Sequence, residues 1–165
     1  MMSFASRVRI PLQPGTIVAV TLALGLGLGW AFREYAFAQE KALVTSRTVN
    51  LDQVKMTEYK DRDKAVGQIG VYVAGDAPRS AQFVTGRFVL DPGQTPHLPH
   101  KHVEEEVMII ESGTGEIFCN GETTKVGPGS VMFTAPNDPH GIVNTGKTPL
   151  VFYFVKWESK AKPGG

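Results

Sequence analysis

Beyond about residue 65 the chain becomes a series of short runs rich in Val, Ile, Phe and Tyr, separated by Gly, Pro, Asn and Asp. The runs are too short for helices and lack the helical period, so they predict strands. They fall at 68–74, 81–90, 100–111, 115–119, 123–126, 130–135, 140–144 and 150–157. The separators are turn formers: Asp91-Pro92-Gly93, Ser112-Gly113-Thr114-Gly115, Asn120-Gly121 and Gly127-Pro128-Gly129. Asn120-Gly121 between apolar runs is the strongest hairpin signal, because a type I′ turn needs two residues that tolerate positive φ. So many short antiparallel strands must close or pair into two sheets, and the expected fold is all-β, a barrel or jelly roll.

The N-terminal part has a different pattern. Arg7 and Arg9 precede a run without charge at 16–32, which reads as a hydrophobic helix serving as a targeting segment. Two readings fit residues 1–38: a signal peptide cleaved after Ala36-Phe37-Ala38, or an uncleaved membrane anchor. Both place the domain outside the cytoplasm, in the periplasm or on the outer face of the inner membrane. Residues 39–64 are polar and mixed and read as a linker leading to an outer strand; 65–159 form the domain and 160–165 a flexible tail.

Composition narrows the function. The 17 Lys and Arg nearly cancel the 16 Asp and Glu, so no net field argues for a nucleic-acid partner. A single cysteine, Cys119, excludes an intramolecular disulfide and has no evident paired base, so it reads as a small packing residue.

The chemistry lies in the histidines, all four of which fall between positions 97 and 140. His100, His102 and Glu106 share strand parity, so an extended backbone points them to one face, with Glu104 beside them and Glu105 turned away. Met108 and Ile110 continue that parity into the interior, and Phe118 is expected to join them from the next strand. His140 enters from a later strand after Pro136 and Pro139. Three imidazoles and a carboxylate make a mixed nitrogen and oxygen site suited to one divalent Fe, Mn, Ni, Cu or Zn ion. Residues 141–148 also match the P-loop pattern, but Pro149 and an apolar strand follow where a phosphate-binding helix would have to begin.

These residues resemble the two signature motifs of the cupin superfamily. Gly93 is followed by His100-Lys101-His102, then Glu106 and Gly113, with one residue more than the motif asks between Gly93 and His100. Gly129 is followed by Ala135-Pro136-Asn137, then His140 and Asn144, with Ala135 in place of the first proline and Asn137 in place of a glycine. The resemblance implies a cupin β-barrel (a double-stranded β-helix or jelly roll), metal ligation by His100, His102, Glu106 and His140, and a homodimer. It further implies a metal-dependent enzyme, oxygenase-like or oxidase-like and dependent on Fe(II) or Mn(II), acting on a small polar organic substrate. In it Glu106 would also relay a proton; His97 has no counterpart in the motifs and reads either as a rim histidine of the pocket or as an acid or base beside the site. A non-catalytic ligand-binding module and a metal-dependent isomerase or hydrolase are the alternatives. Asn144 is expected to hold a turn or strand end.

Overall fold

The alternation of inward apolar and outward polar residues is realised as nine strands in a computed structural model that describes residues 43–160. They are β1 (Thr57–Asp61), β2 (Lys64–Gly75), β3 (Ser80–Leu90), β4 (Glu105–Ser112), β5 (Gly115–Cys119), β6 (Glu122–Val126), β7 (Val131–Thr134), β8 (His140–Val143) and β9 (Leu150–Ser159). Among the described residues the one helical piece is a 3-10 turn, Leu51–Gln53, and no helix is long and apolar enough to cross a membrane. The expected N-terminal helix, with its signal or anchor role, lies outside the described residues, as do residues 161–165 of the tail.

The strands form a six-stranded sheet, β1-β2-β3-β9-β4-β7, and a three-stranded sheet, β6-β5-β8. Both sheets contribute to one core: Val84, Phe88 and Leu90 from β3, Met108 and Ile110 from β4, Phe152 and Phe154 from β9, and Ile117 and Ile142 from the smaller sheet. Phe88 and Phe152 are cross-strand partners whose rings stack with centroids 5.4 Å apart, a contact worth about 1 kcal/mol beyond its burial. Gly86 faces Phe154 across the β3–β9 ladder, and a Cβ there would run into the Phe154 ring. A glycine in mid-strand thus makes room for an aromatic side chain.

The Asn120-Gly121 hairpin joins β5 to β6 as expected, with φ of 46° and 92°. Asn137 takes φ of 66°, the left-handed conformation for which it stands in place of glycine. Residues 141–148 run from β8 into a loop that leads to β9, so no helix follows the P-loop-like letters.

Two expectations need correction. The strand anticipated at 100–111 begins only at Glu105, where its pairing stops: Glu105 faces Trp157 on β9, and Glu106 faces Thr134, the last residue of β7. Phe118 is not the inward residue of β5. The buried positions are Gly115 and Ile117, so the phase is shifted by one.

Candidate metal centre

A backbone bridge creates the site. His100 and His140 exchange both backbone hydrogen bonds, His100 N to His140 O at 3.0 Å and His140 N to His100 O at 2.9 Å. Directly opposed residues in an antiparallel pair present their side chains to the same face. The two imidazole centroids therefore lie 4.6 Å apart. Asn137 N donates to His102 O at 2.7 Å and ties the same loop to the turn before β8. These bonds pin the loop of His100 and His102 to β8 and to the turn before it, and the two rings share one face.

The nitrogens offered by His100, His102 and His140 all lie within 4.8 Å of one another, close enough to hold one metal ion. Glu106, on the inward face of β4 and 5% exposed, reaches among them. One of its carboxylate oxygens, Oε2, is 2.9 Å from His102 Nε2 and 3.1 Å from His140 Nε2. Two of the rings are oriented from behind. His102 Nδ1 donates to Glu104 O and His140 Nδ1 to Asp138 O, each at 3.0 Å. A proton committed to Nδ1 leaves Nε2 as the coordinating atom of a neutral imidazole. His100 has no such anchor, and its Nδ1 is buried without a hydrogen-bond partner. Orphaned buried nitrogen of this kind is costly in a finished fold, and an ion shared with the other donors would remove the cost. The donor set thus fits a divalent transition metal.

The electrostatics favour a neutral His100 beside a charged Glu106. Burial, reinforced by His97, His140 and His102, pushes His100 down to about 3. Burial would raise Glu106, but hydrogen bonds from His102 and His140 and the nearby Lys156 charge bring it down to about 2. His140 is also disfavoured as a cation by burial, yet its bonds to Glu106 and Asp138 O leave it above the ordinary histidine value.

His97 packs its ring edge-on against His100, with centroids 4.0 Å apart, and its Nδ1 is 3.0 Å from Leu98 O. Burial lowers its pKa, so the ring is neutral near pH 7. With Glu106 it supplies the polar part of a cavity of about 30 Å³ walled by Phe88, Met108, Ile142, Phe152 and Phe154. That volume admits roughly one water-sized group. A wider groove of about 460 Å³ lies elsewhere, against Leu51, Tyr72 and Tyr153, and none of the histidines lines it.

Asn144 is fully buried and holds a strand end. Its Nδ2 donates to Leu90 O at 2.8 Å and Thr148 O at 2.9 Å, and its Oδ1 accepts from Gly146 N at 2.9 Å. Its backbone bonds to Gly93 N and Gln94 O, each at 2.9 Å, and so anchors the start of the loop that carries the histidines. Cys119 is half-buried and packs against the core.

Two residues beside the site were missed from sequence. Thr134, opposite Glu106 on β7, is 1% exposed and its Oγ1 has no partner. Lys156, opposite Glu106 on β9, follows Phe152 and Phe154 in the inward parity of that strand. A polar residue that continues an apolar alternation was the available signal.

Comparison with known proteins agrees with this architecture. Residues 86–156 match the cupin domain family model. An oxalate-binding protein of Thermotoga maritima is 40% identical over 70 residues, covering 42% of this chain and 57% of that protein, so the match spans little more than half of that relative. A structure described as a predicted oxalate decarboxylase, also from Thermotoga maritima, is 25% identical with a TM-score of 0.54, covering 68% of this chain and 99% of the other. An RmlC-like cupin from Shewanella frigidimarina is 14% identical with a TM-score of 0.56 over 70% of this chain and 94% of the other, a likeness of fold. The two signature motifs, the two-sheet architecture and the family match together identify residues 86–156 as a cupin domain.

Proposed function

We propose that the domain holds one divalent metal through His100, His102, Glu106 and His140 and binds a small organic acid at an open position on it. The observation that carries this reading is the convergence of three imidazoles within 4.8 Å, with a buried carboxylate oxygen between two of them. The acid is suggested by the relatives described as oxalate-binding and as a predicted oxalate decarboxylase. When bound, the metal would act as a Lewis acid or a redox centre. The rest falls to the chain's own residues. Glu104 O and Asp138 O fix the tautomers of His102 and His140, and the aromatic walls exclude bulk water.

Catalysis of an oxygenase-like or oxidase-like kind is the finer reading, and His97 favours it. It is a neutral ring in the wall of the cavity that Glu106 also lines, so both would face a ligand bound there. The uncharged run at 16–32 behind Arg7 and Arg9 supports export or anchoring outside the cytoplasm, and a homodimer is proposed by family resemblance alone. The test is to measure metal content of protein purified without chelators, then titrate it with oxalate calorimetrically and follow dioxygen in the same mixture. Metal-dependent oxalate binding supports the site. Dioxygen consumption adds the enzyme reading, and a folded protein that takes up no metal refutes both.

A further inference from the structure

The inward face of the six-stranded sheet carries a row of polar residues through the metal centre. Glu106 is flanked by Lys156 on β9 and by Thr134 on β7, and beyond Lys156 stands the buried Val84 of β3. Leu150, Phe152 and Phe154 precede Lys156 in the same parity and are buried in the core, so Lys156 is the residue at which that face of β9 passes from the core to the site. Its charge is felt by His97 in the loop, by Glu106 on β4 and by His140 on β8. As the cross-strand partner of Glu106, Lys156 leaves the sheet on the same face as that carboxylate, which puts its charge beside the site. A lysine is an expensive residue to turn toward such an interior, and one ligating carboxylate does not call for it.

We propose that Lys156 is the specificity residue of this site, binding the carboxylate of an anionic ligand whose other end occupies the metal. The proposal rests on the metal-binding reading given above. Charge supports it: a divalent ion and Lys156, set against Glu106 and the Glu104 carboxylate 3.3 Å from His102 Nδ1, leave a net positive centre that favours an anion over a neutral ligand. The unpartnered Thr134 hydroxyl on the other side of Glu106 provides a second hydrogen-bonding group for the same ligand. A lysine makes a point-charge contact, so its long stem reaches one carboxylate without demanding a bidentate geometry.

The test uses the full chain loaded with Mn(II), with oxalate as the anionic probe and oxamide as its neutral counterpart, for the parent, Lys156→Met and Lys156→Arg. Metal content is measured for each before titration. Lys156→Met should keep its metal and bind oxalate about tenfold to a hundredfold more weakly, as loss of one charge-assisted contact implies. Lys156→Arg should stay within about threefold of the parent by retaining the charge, while oxamide affinity is the same in all three. In the parent, oxalate affinity should fall as salt is raised. If Lys156→Met fails to fold, the Lys156→Arg comparison and the salt dependence decide in its place. Oxalate affinity unchanged in fully loaded Lys156→Met, or a loaded parent that binds no oxalate, overturns the role of Lys156 and leaves the metal site standing. A parent that takes up no Mn(II) or other divalent metal overturns both.

Discussion

Replacing Asn144 by alanine tests how the fold supports the site. The side chain makes three hydrogen bonds, to Leu90 O, Thr148 O and Gly146 N, from a fully buried position. Their losses are unequal. Leu90 is itself fully buried, so its carbonyl would be left without a partner at about 1–3 kcal/mol. Thr148 is exposed and can turn to water, and Gly146 N retains a contact to Thr114 O at 3.2 Å, so each of these costs nearer 0.5–1 kcal/mol. The total is about 3 kcal/mol, which at a urea dependence of about 1.5 kcal/mol per M moves the unfolding midpoint by about 2 M. The measurement belongs on chelator-treated protein, since bound metal adds stability by mass action. Asn144→Asp should do no better than alanine, because it keeps the acceptor for Gly146 N but turns a carboxylate oxygen toward two carbonyls. The folded variant should still take up metal at the parent's stoichiometry, because Asn144 anchors Gly93 and Gln94 through its backbone. A midpoint within about 0.3 M of the parent, or full rescue by aspartate, would refute the argument that the two donated bonds matter.

Other consequences can be checked directly. His140→Ala should weaken metal binding about 100-fold or more while the domain stays folded, as read by elemental analysis beside circular dichroism. Metal-free protein should lose stability as pH falls from 6.5 toward 3, because His100, held down to about 3 by its burial, protonates more readily in the unfolded chain. Glu106, lowered from 4.5 to about 2, extends the loss below pH 4.5, whereas His140, raised above 6.5 by its hydrogen bonds despite burial, contributes most below 6.5 and offsets part of it. Urea midpoints across this range should flatten above about pH 4.5 in His100→Gln; an unchanged profile would remove His100 as the cause. Gly86→Val should cost about 1–3 kcal/mol by driving Phe154 from its place, visible as a lower thermal midpoint.

Local signals made most of the barrel legible. Alternation marked the strands, Asn120-Gly121 marked its hairpin, and the parity of Glu106, Met108 and Ile110 was right because all three lie within β4. His100 and His102 also meet as their spacing predicted, although they lie before β4 and only His100 is paired, through a single bridge to His140. Where a strand begins is decided by where its pairing with neighbours stops, and Trp157 and Thr134 are remote in sequence. The hairpin between β1 and β2 was hidden for a related reason. Its turn is Arg62-Asp63, with Arg62 at φ of 57°, inside a charged cluster that carries no glycine. In β5 the inward set begins at Gly115, which has no side chain to reveal the phase, so Phe118 drew the assignment that belongs to Ile117.

The way the site is held bears on how it would work. His102 and His140 are each held by a carbonyl behind Nδ1, with Nε2 turned toward Glu106 Oε2, so both rings stand in a coordinating orientation through a bond that does not involve a metal. His100 is fixed through its backbone bridge, while its ring is held by packing against His97 and His140. The donors therefore divide into a rigid pair and one ring set by its neighbours. A change at His97 should act on the metal through His100 as well as on any proton it carries. His97→Phe preserves the ring contact and removes the nitrogens, whereas His97→Ala removes both. Metal affinity lost in alanine but kept in phenylalanine would assign His97 a positioning role, and turnover lost in both with metal retained in phenylalanine would assign it the proton.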